Sequence, residues 1–115
     1  MKVMPIRYAR DVEASVAFYR ALGLEVGSVS RPGGWAELAG NAGVVALHAA
    51  GDANAGICEL VFEADEKLEA VADRLRAGGF AAGAIVDESF GRSMQVVDPD
   101  RVVVQINEHD RDLYT

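Results

Sequence analysis

This 115-residue chain has a single cysteine, Cys58, so it can form no intrachain disulfide and suits a reducing compartment. It is also short of positive charge. Eleven basic residues face 18 acidic ones, giving a net charge of −7, so there is no basic stripe for nucleic acid or an anionic membrane to sit on. No apolar run approaches membrane-spanning length, and Met1-Lys2-Val3-Met4-Pro5 lacks the apolar core of a secretory leader. The expectation is a cytoplasmic protein with no membrane partner. No Ser-His-Asp spacing and no phosphate-cradling glycine loop is present; Gly33-Gly34 and Gly78-Gly79 read as a turn and a helix stop.

What is present is ordinary globular composition, half hydrophobic and a quarter charged, in one domain's length of chain. Its pattern runs twice. Val3–Tyr8 reads as a strand, Asp11 caps a helix with Val12, Val16, Tyr19 and Leu22 at helical spacing, and Gly23 stops it. Strands over 24–30, 35–39 and 44–50 follow, separated by Arg31-Pro32-Gly33-Gly34 and Asn41-Ala42-Gly43. The second pass has a strand over 57–63, a helix capped by Asp65 and stopped at Gly78-Gly79, then strands over 82–87, 93–97 and 102–107. The fold class expected is α+β: two βαβββ modules in one chain, forming a cupped mixed sheet with helices on its outer face. Module one covers about 1–50, a small polar linker 51–56, module two about 57–108, and a charged surface tail 109–115. A ferredoxin-like domain, the bland alternative, has a βαβ repeat and fewer strands after each helix.

Period-two alternation sorts each strand into a helix-packed and an open face. Cys58, Leu60 and Phe62 form one apolar set, which leaves Glu59 on the open side; Val104 and Ile106 likewise leave Gln105 open. Val45 and Leu47 leave His48 open, and the first strand offers Met4, Ile6 and Tyr8, with Arg7 awkward on the buried face. A mostly apolar concavity holding a few polar groups is how a small-molecule site looks. Trp35 and Phe90 stand beside glycine turns, where aromatics stack on flat ligands or simply cover the sheet edge. Phe18, Tyr19, Phe62 and Phe80 are expected in the core, and Cys58 as a small buried hydrophobe. Glu59 either contacts ligand, pairs with Arg92 or Arg7, or acts as a base.

Tyr8-Ala9-Arg10-Asp11, Ser15-Val16-Ala17-Phe18-Tyr19 and Leu22-Gly23-Leu24, with Asp98-Pro99-Asp100 before a last apolar strand, resemble the vicinal oxygen chelate superfamily of glyoxalases, bleomycin-resistance proteins and extradiol dioxygenases. The resemblance spans nearly the whole chain. It implies metal ligands on the first and last strand of each module, but here those positions fall on Met4, near Ala46 (with His48 two residues on), on Glu59 and on Gln105. Arg101 also replaces the glycine that closes the Asp-Pro-Asp turn. One imidazole, one carboxylate, an amide and a thioether suit no common divalent metal.

The expectation is therefore no metal or other cofactor, and a likeness to the family's metal-free branch of small dimers that sequester antibiotics or similar planar amphiphiles. Met4, Tyr8, Trp35, His48, Glu59, Phe90 and Gln105 are the candidate ligand-binding residues. Two alternatives remain: a metal-dependent lyase or dioxygenase using His48, Glu59 and Gln105, and a metal-free isomerase with Glu59 as catalytic base. A homodimer is expected, because a half-open apolar cup is better closed by a second copy.

Overall fold

The structure is a computed structural model that describes residues 1–97 and 99–114. It is α+β, and its residues fall into two compact units: Met4–Glu59 with Tyr114, and Leu60–Leu113 with Met1–Val3. Among the described residues the elements are β1 (Lys2–Val3), β2 (Ile6–Ala9), α1 (Val12–Ala21), β3 (Glu25–Val29), β4 (Trp35–Ala39), β5 (Val44–Ala49), β6 (Cys58–Glu59), β7 (Val61–Glu63), α2 (Leu68–Ala77), β8 (Ile85–Glu88), β9 (Gly91–Val97) and β10 (Val103–His109), followed by a 3-10 turn over Arg111–Tyr114.

Each unit holds one mixed five-stranded sheet, and the two share a topology. The orders are β3-β4-β5-β2-β6 and, reversed, β8-β9-β10-β7-β1, so each unit is a βαβββ repeat plus one short extra strand. Those extra strands arise because two expected strands break. Pro5 has no N–H for a ladder, and the segment read as Val3–Tyr8 divides at Met4-Pro5. The segment read as 57–63 divides at Leu60, which is exposed. The 51–56 stretch is a hydrogen-bonded turn in the first unit, with the Gly56 N–H on the Tyr8 carbonyl at 2.8 Å.

In the first unit the Asp11 carboxylate accepts from the Ala14 N–H at 3.0 Å, so α1 starts where its sequence says it should. Gly23 follows the helix at φ +108, a backbone state side chains disfavour. Val12, Val16, Tyr19 and Leu24 pack on Ala36, Leu38 and Leu47. Phe18 and Leu22 instead point outward, 59% and 64% exposed, because they lie beyond that stripe. Cys58 is exposed as well, since β6 is the edge strand of its sheet. Arg7 sits half-buried, its guanidinium turned back onto the Tyr8 carbonyl.

In the second unit Ala64, Leu68, Val71, Ala72, Met94 and Ile106 form the core under α2. Here the expected cap fails. The residue before α2 is Lys67, with no side-chain cap, and the Leu68 N–H is taken by the Glu108 carboxylate of β10 at 3.1 Å. Asp65 accepts from the N-terminal amine instead, at 3.2 Å. His109, expected in the surface tail, therefore continues the strand with Glu108, which also binds Arg92 at 2.6 Å. Gly91 has φ +142, and a Cβ there would lie 2.1 Å from the Glu108 carbonyl oxygen, so only glycine fits. Phe80, expected in the core, is 56% exposed just past the helix stop. Of the Asp98-Pro99-Asp100 turn and the tail, Asp98 and Thr115 lie outside the described residues.

Candidate functional site

On the helix-free face of the first unit's sheet, register brings three rings side by side. Trp35 pairs with His48 across β4 and β5, and His48 pairs with Tyr8 across β5 and β2. The Tyr8 and His48 ring centroids are 5.1 Å apart, and the Trp35 and His48 rings meet edge-on at 6.2 Å and 87°. Beside this rung runs another, from Glu37 through Ala46 and Ile6 to Glu59. The row of rings thus has a carboxylate toward each end. Three strand spacings separate those carboxylates' backbones, about 14 Å.

Both carboxylates hold rings. The Tyr8 hydroxyl donates to Glu59 Oε1 at 2.5 Å, and the Trp35 indole N–H donates to Glu37 Oε2 at 3.0 Å. Burial, reinforced by the hydrogen bond and negative charge of Glu59, pushes the Tyr8 phenol up to about 12. Tyr8 therefore stays a neutral donor throughout the physiological range. The Nδ1 of His48 donates to the Ala49 carbonyl at 2.6 Å, which fixes the ring's tautomer. His48 is exposed, Trp35, Tyr8 and Glu59 are half-buried, and Ile6 and Ala46 in the neighbouring rung are buried. The surface presents π-faces, an imidazole edge and negative charge, a combination suited to flat molecules with N–H or cationic groups.

The remaining candidates divide. Met4 is fully buried in the first unit, outside the cluster that packs under α1. Phe90 and Gln105 belong to the second unit. Phe90 stacks on His109 with centroids 4.9 Å apart, and the Gln105 amide donates to Asn107 at 2.8 Å. Arg92, one partner considered for Glu59, is bound to Glu69 and Glu108 instead. Sequence alternation missed two members of the site. Glu37 lies two residues from Trp35 on the same strand and was detectable by the same period-two count. Tyr114, whose hydroxyl reaches Glu37 at 3.1 Å, follows no periodic pattern that marks it.

The donor set does not fit a divalent metal. Of the four positions that the resemblance assigns, Met4 is buried, Ala46 has no ligating atom, Glu59 is engaged by Tyr8 and Gln105 by Asn107. Among the described residues no group of three or more His, Cys, Asp or Glu side chains is placed to hold a metal ion.

The sequence from residue 3 to 106 matches the family model for the glyoxalase/bleomycin resistance protein/dioxygenase superfamily. The chain belongs to that superfamily. Solved structures agree on the fold. A chain described as NAD-dependent benzaldehyde dehydrogenase from Legionella pneumophila is similar at 18% identity and TM-score 0.68, covering 94% of this chain and 99% of that one. An uncharacterized protein from Methanosarcina mazei has 16% identity and TM-score 0.62 over 96% and 93% of the two chains. A glyoxalase/bleomycin resistance protein/dioxygenase superfamily member from Vibrio splendidus 12B01 has 19% identity and TM-score 0.59 over 95% and 98%. At such identities the likeness is one of fold, and the dehydrogenase description stays with the Legionella protein. No curated protein matches the sequence.

Proposed function

We propose that this protein binds and sequesters a small planar amphiphile, such as an antibiotic, without a metal. The observation that carries the proposal is the Trp35–His48–Tyr8 row with Glu59 and Glu37 beside it. Stacking on Trp35 and Tyr8 supplies affinity, each ring contact adding about 0.5–1.5 kcal/mol. His48 and Glu59 orient the ligand's polar groups, and the net charge of −7 favours a neutral or cationic ligand. Because Tyr8 already occupies one Glu59 oxygen, that carboxylate serves as a polar anchor rather than as the base of an isomerase. The outward Phe18 and Leu22 suit closure by a second copy of the chain, so a homodimer is part of the proposal.

Proflavine, a flat aromatic cation, is the first probe. Saturable quenching of Trp35 that is unchanged by EDTA, with an affinity read from the dye's own absorbance that Trp35→Ala weakens about tenfold or more, would support the proposal. Quenching that vanishes with EDTA and returns with zinc would overturn it, as would proflavine binding that Trp35→Ala leaves intact. Light scattering on eluting protein reads the oligomeric state: a monomer at all concentrations sinks the dimer.

A further inference from the structure

Trp35 is the protein's only tryptophan, and its indole N–H donates to Glu37. We infer that Tyr114 is a positioning residue for the ring row, acting through Glu37 to hold the Trp35 indole in its receiving orientation. The inference rests on the binding function proposed above. Glu37 Oε2 accepts from Trp35 Nε1 at 3.0 Å and from the Tyr114 hydroxyl at 3.1 Å. That side chain is in a residue only 6% exposed, so water is a poor substitute for either donor. Tyr114 is itself tethered, its carbonyl accepting from the Arg31 N–H at 3.3 Å in the turn before Trp35. The end of the described chain thus returns to the start of β4 and bonds the carboxylate that accepts from the indole. Without the Tyr114 hydroxyl, Glu37 loses one of the two donors at Oε2. The hold on the carboxylate weakens, and with it the hold on the indole in its edge-on contact with His48.

Two variants test this: Tyr114→Phe, and a chain ending at Leu113. Trp35 is followed by acrylamide quenching and near-UV circular dichroism, and proflavine affinity by the dye's own absorbance. In both variants the Trp35 near-UV signal should fall and quenching should rise, with cooperative melting retained. Proflavine affinity should drop about tenfold, the size of one lost hydrogen bond to a charged group. In a Trp35→Phe background the same Tyr114→Phe change should cost no further affinity, because its effect passes through the indole. Unchanged Trp35 signals in both variants would overturn the inference, as would an equal affinity loss in the Trp35→Phe background. Failure of the unaltered protein to bind proflavine would count against the binding function alone; Trp35 quenching would still decide the role of Tyr114.

Discussion

Replacing Glu108 tests how α2 is started. Three groups converge on its carboxylate: the Leu68 N–H at 3.1 Å, the Arg92 guanidinium at 2.6 Å and the Lys67 amine at 3.4 Å. The first is an N-cap bond supplied from another strand, worth about 1 kcal/mol. The second joins side chains 29% and 19% exposed, so solvent screens it in part and about 1–2 kcal/mol is reasonable. Lys67 is 79% exposed and adds little. Glu108→Ala should then cost about 2–3 kcal/mol in urea unfolding, with a melting point lower by about 10 °C. Glu108→Gln keeps an oxygen for the Leu68 N–H and should cost about half as much. Hydrogen exchange at Leu68 should accelerate in the alanine variant and hardly change in the glutamine one. Equal losses in the two variants, or a loss below about 0.5 kcal/mol for alanine, would refute the cap.

Acid supplies an independent check on the same residue. Burial alone would raise the Glu108 carboxyl, but the hydrogen bonds from Arg92, Leu68 and Lys67 outweigh it and hold it below its usual range. A carboxyl lowered on folding stabilises the protein above its unfolded value and loses that contribution as pH falls through its folded value. The stability gap between Glu108 and Glu108→Gln should therefore be full near neutrality and close progressively below about pH 4.3.

Other outcomes follow from single features. Arg101 has φ +68, the one positive value at a non-glycine residue among those described, so Arg101→Gly should stabilise by about 1 kcal/mol in thermal unfolding. Met94 is 1% exposed in the core under α2, and Met94→Ala should cost about 2–5 kcal/mol; a smaller loss would mean the core refills. Tyr8 should ionise at about 12 in a 295 nm titration. Its raised value contributes stability that is complete below about pH 10 and lost as pH rises through 12. Glu59→Gln should bring its titration down toward the ordinary range.

Much of this was legible because it is periodic. Strand alternation placed Tyr8, His48 and Glu59 on the open side, and the register of β2, β5 and β6 puts them there. The helix stops at Gly23 and Gly79 carry the positive φ their residue type allows. Where the reading failed, the cause was tertiary. Asp65 looked like a cap by position, yet Glu108 arrives from 40 residues away and satisfies the helix start. His109 looked like part of a charged tail because local sequence does not show that β9 continues to pair with it as far as Gly91. The breaks at Met4-Pro5 and Leu60 were hidden because alternation carries through both. Phe18 and Phe80 show that an aromatic ring next to an apolar stripe need not join it.

The shared topology of the two units has a consequence for how such a protein can change. Position by position, the rung Trp35, His48, Tyr8 in one unit corresponds to Ser93, Asn107, Glu63 in the other. The first is a platform of rings, while in the second Glu63 is clamped by Lys2 and Arg111. Each repeat packs its own helix on its own sheet, so the face of one can be rewritten without unsettling the other's interior. Duplication thus separates two burdens that a lone sheet must carry together. One repeat fastens that rung with ion pairs, and the other is left to carry rings there.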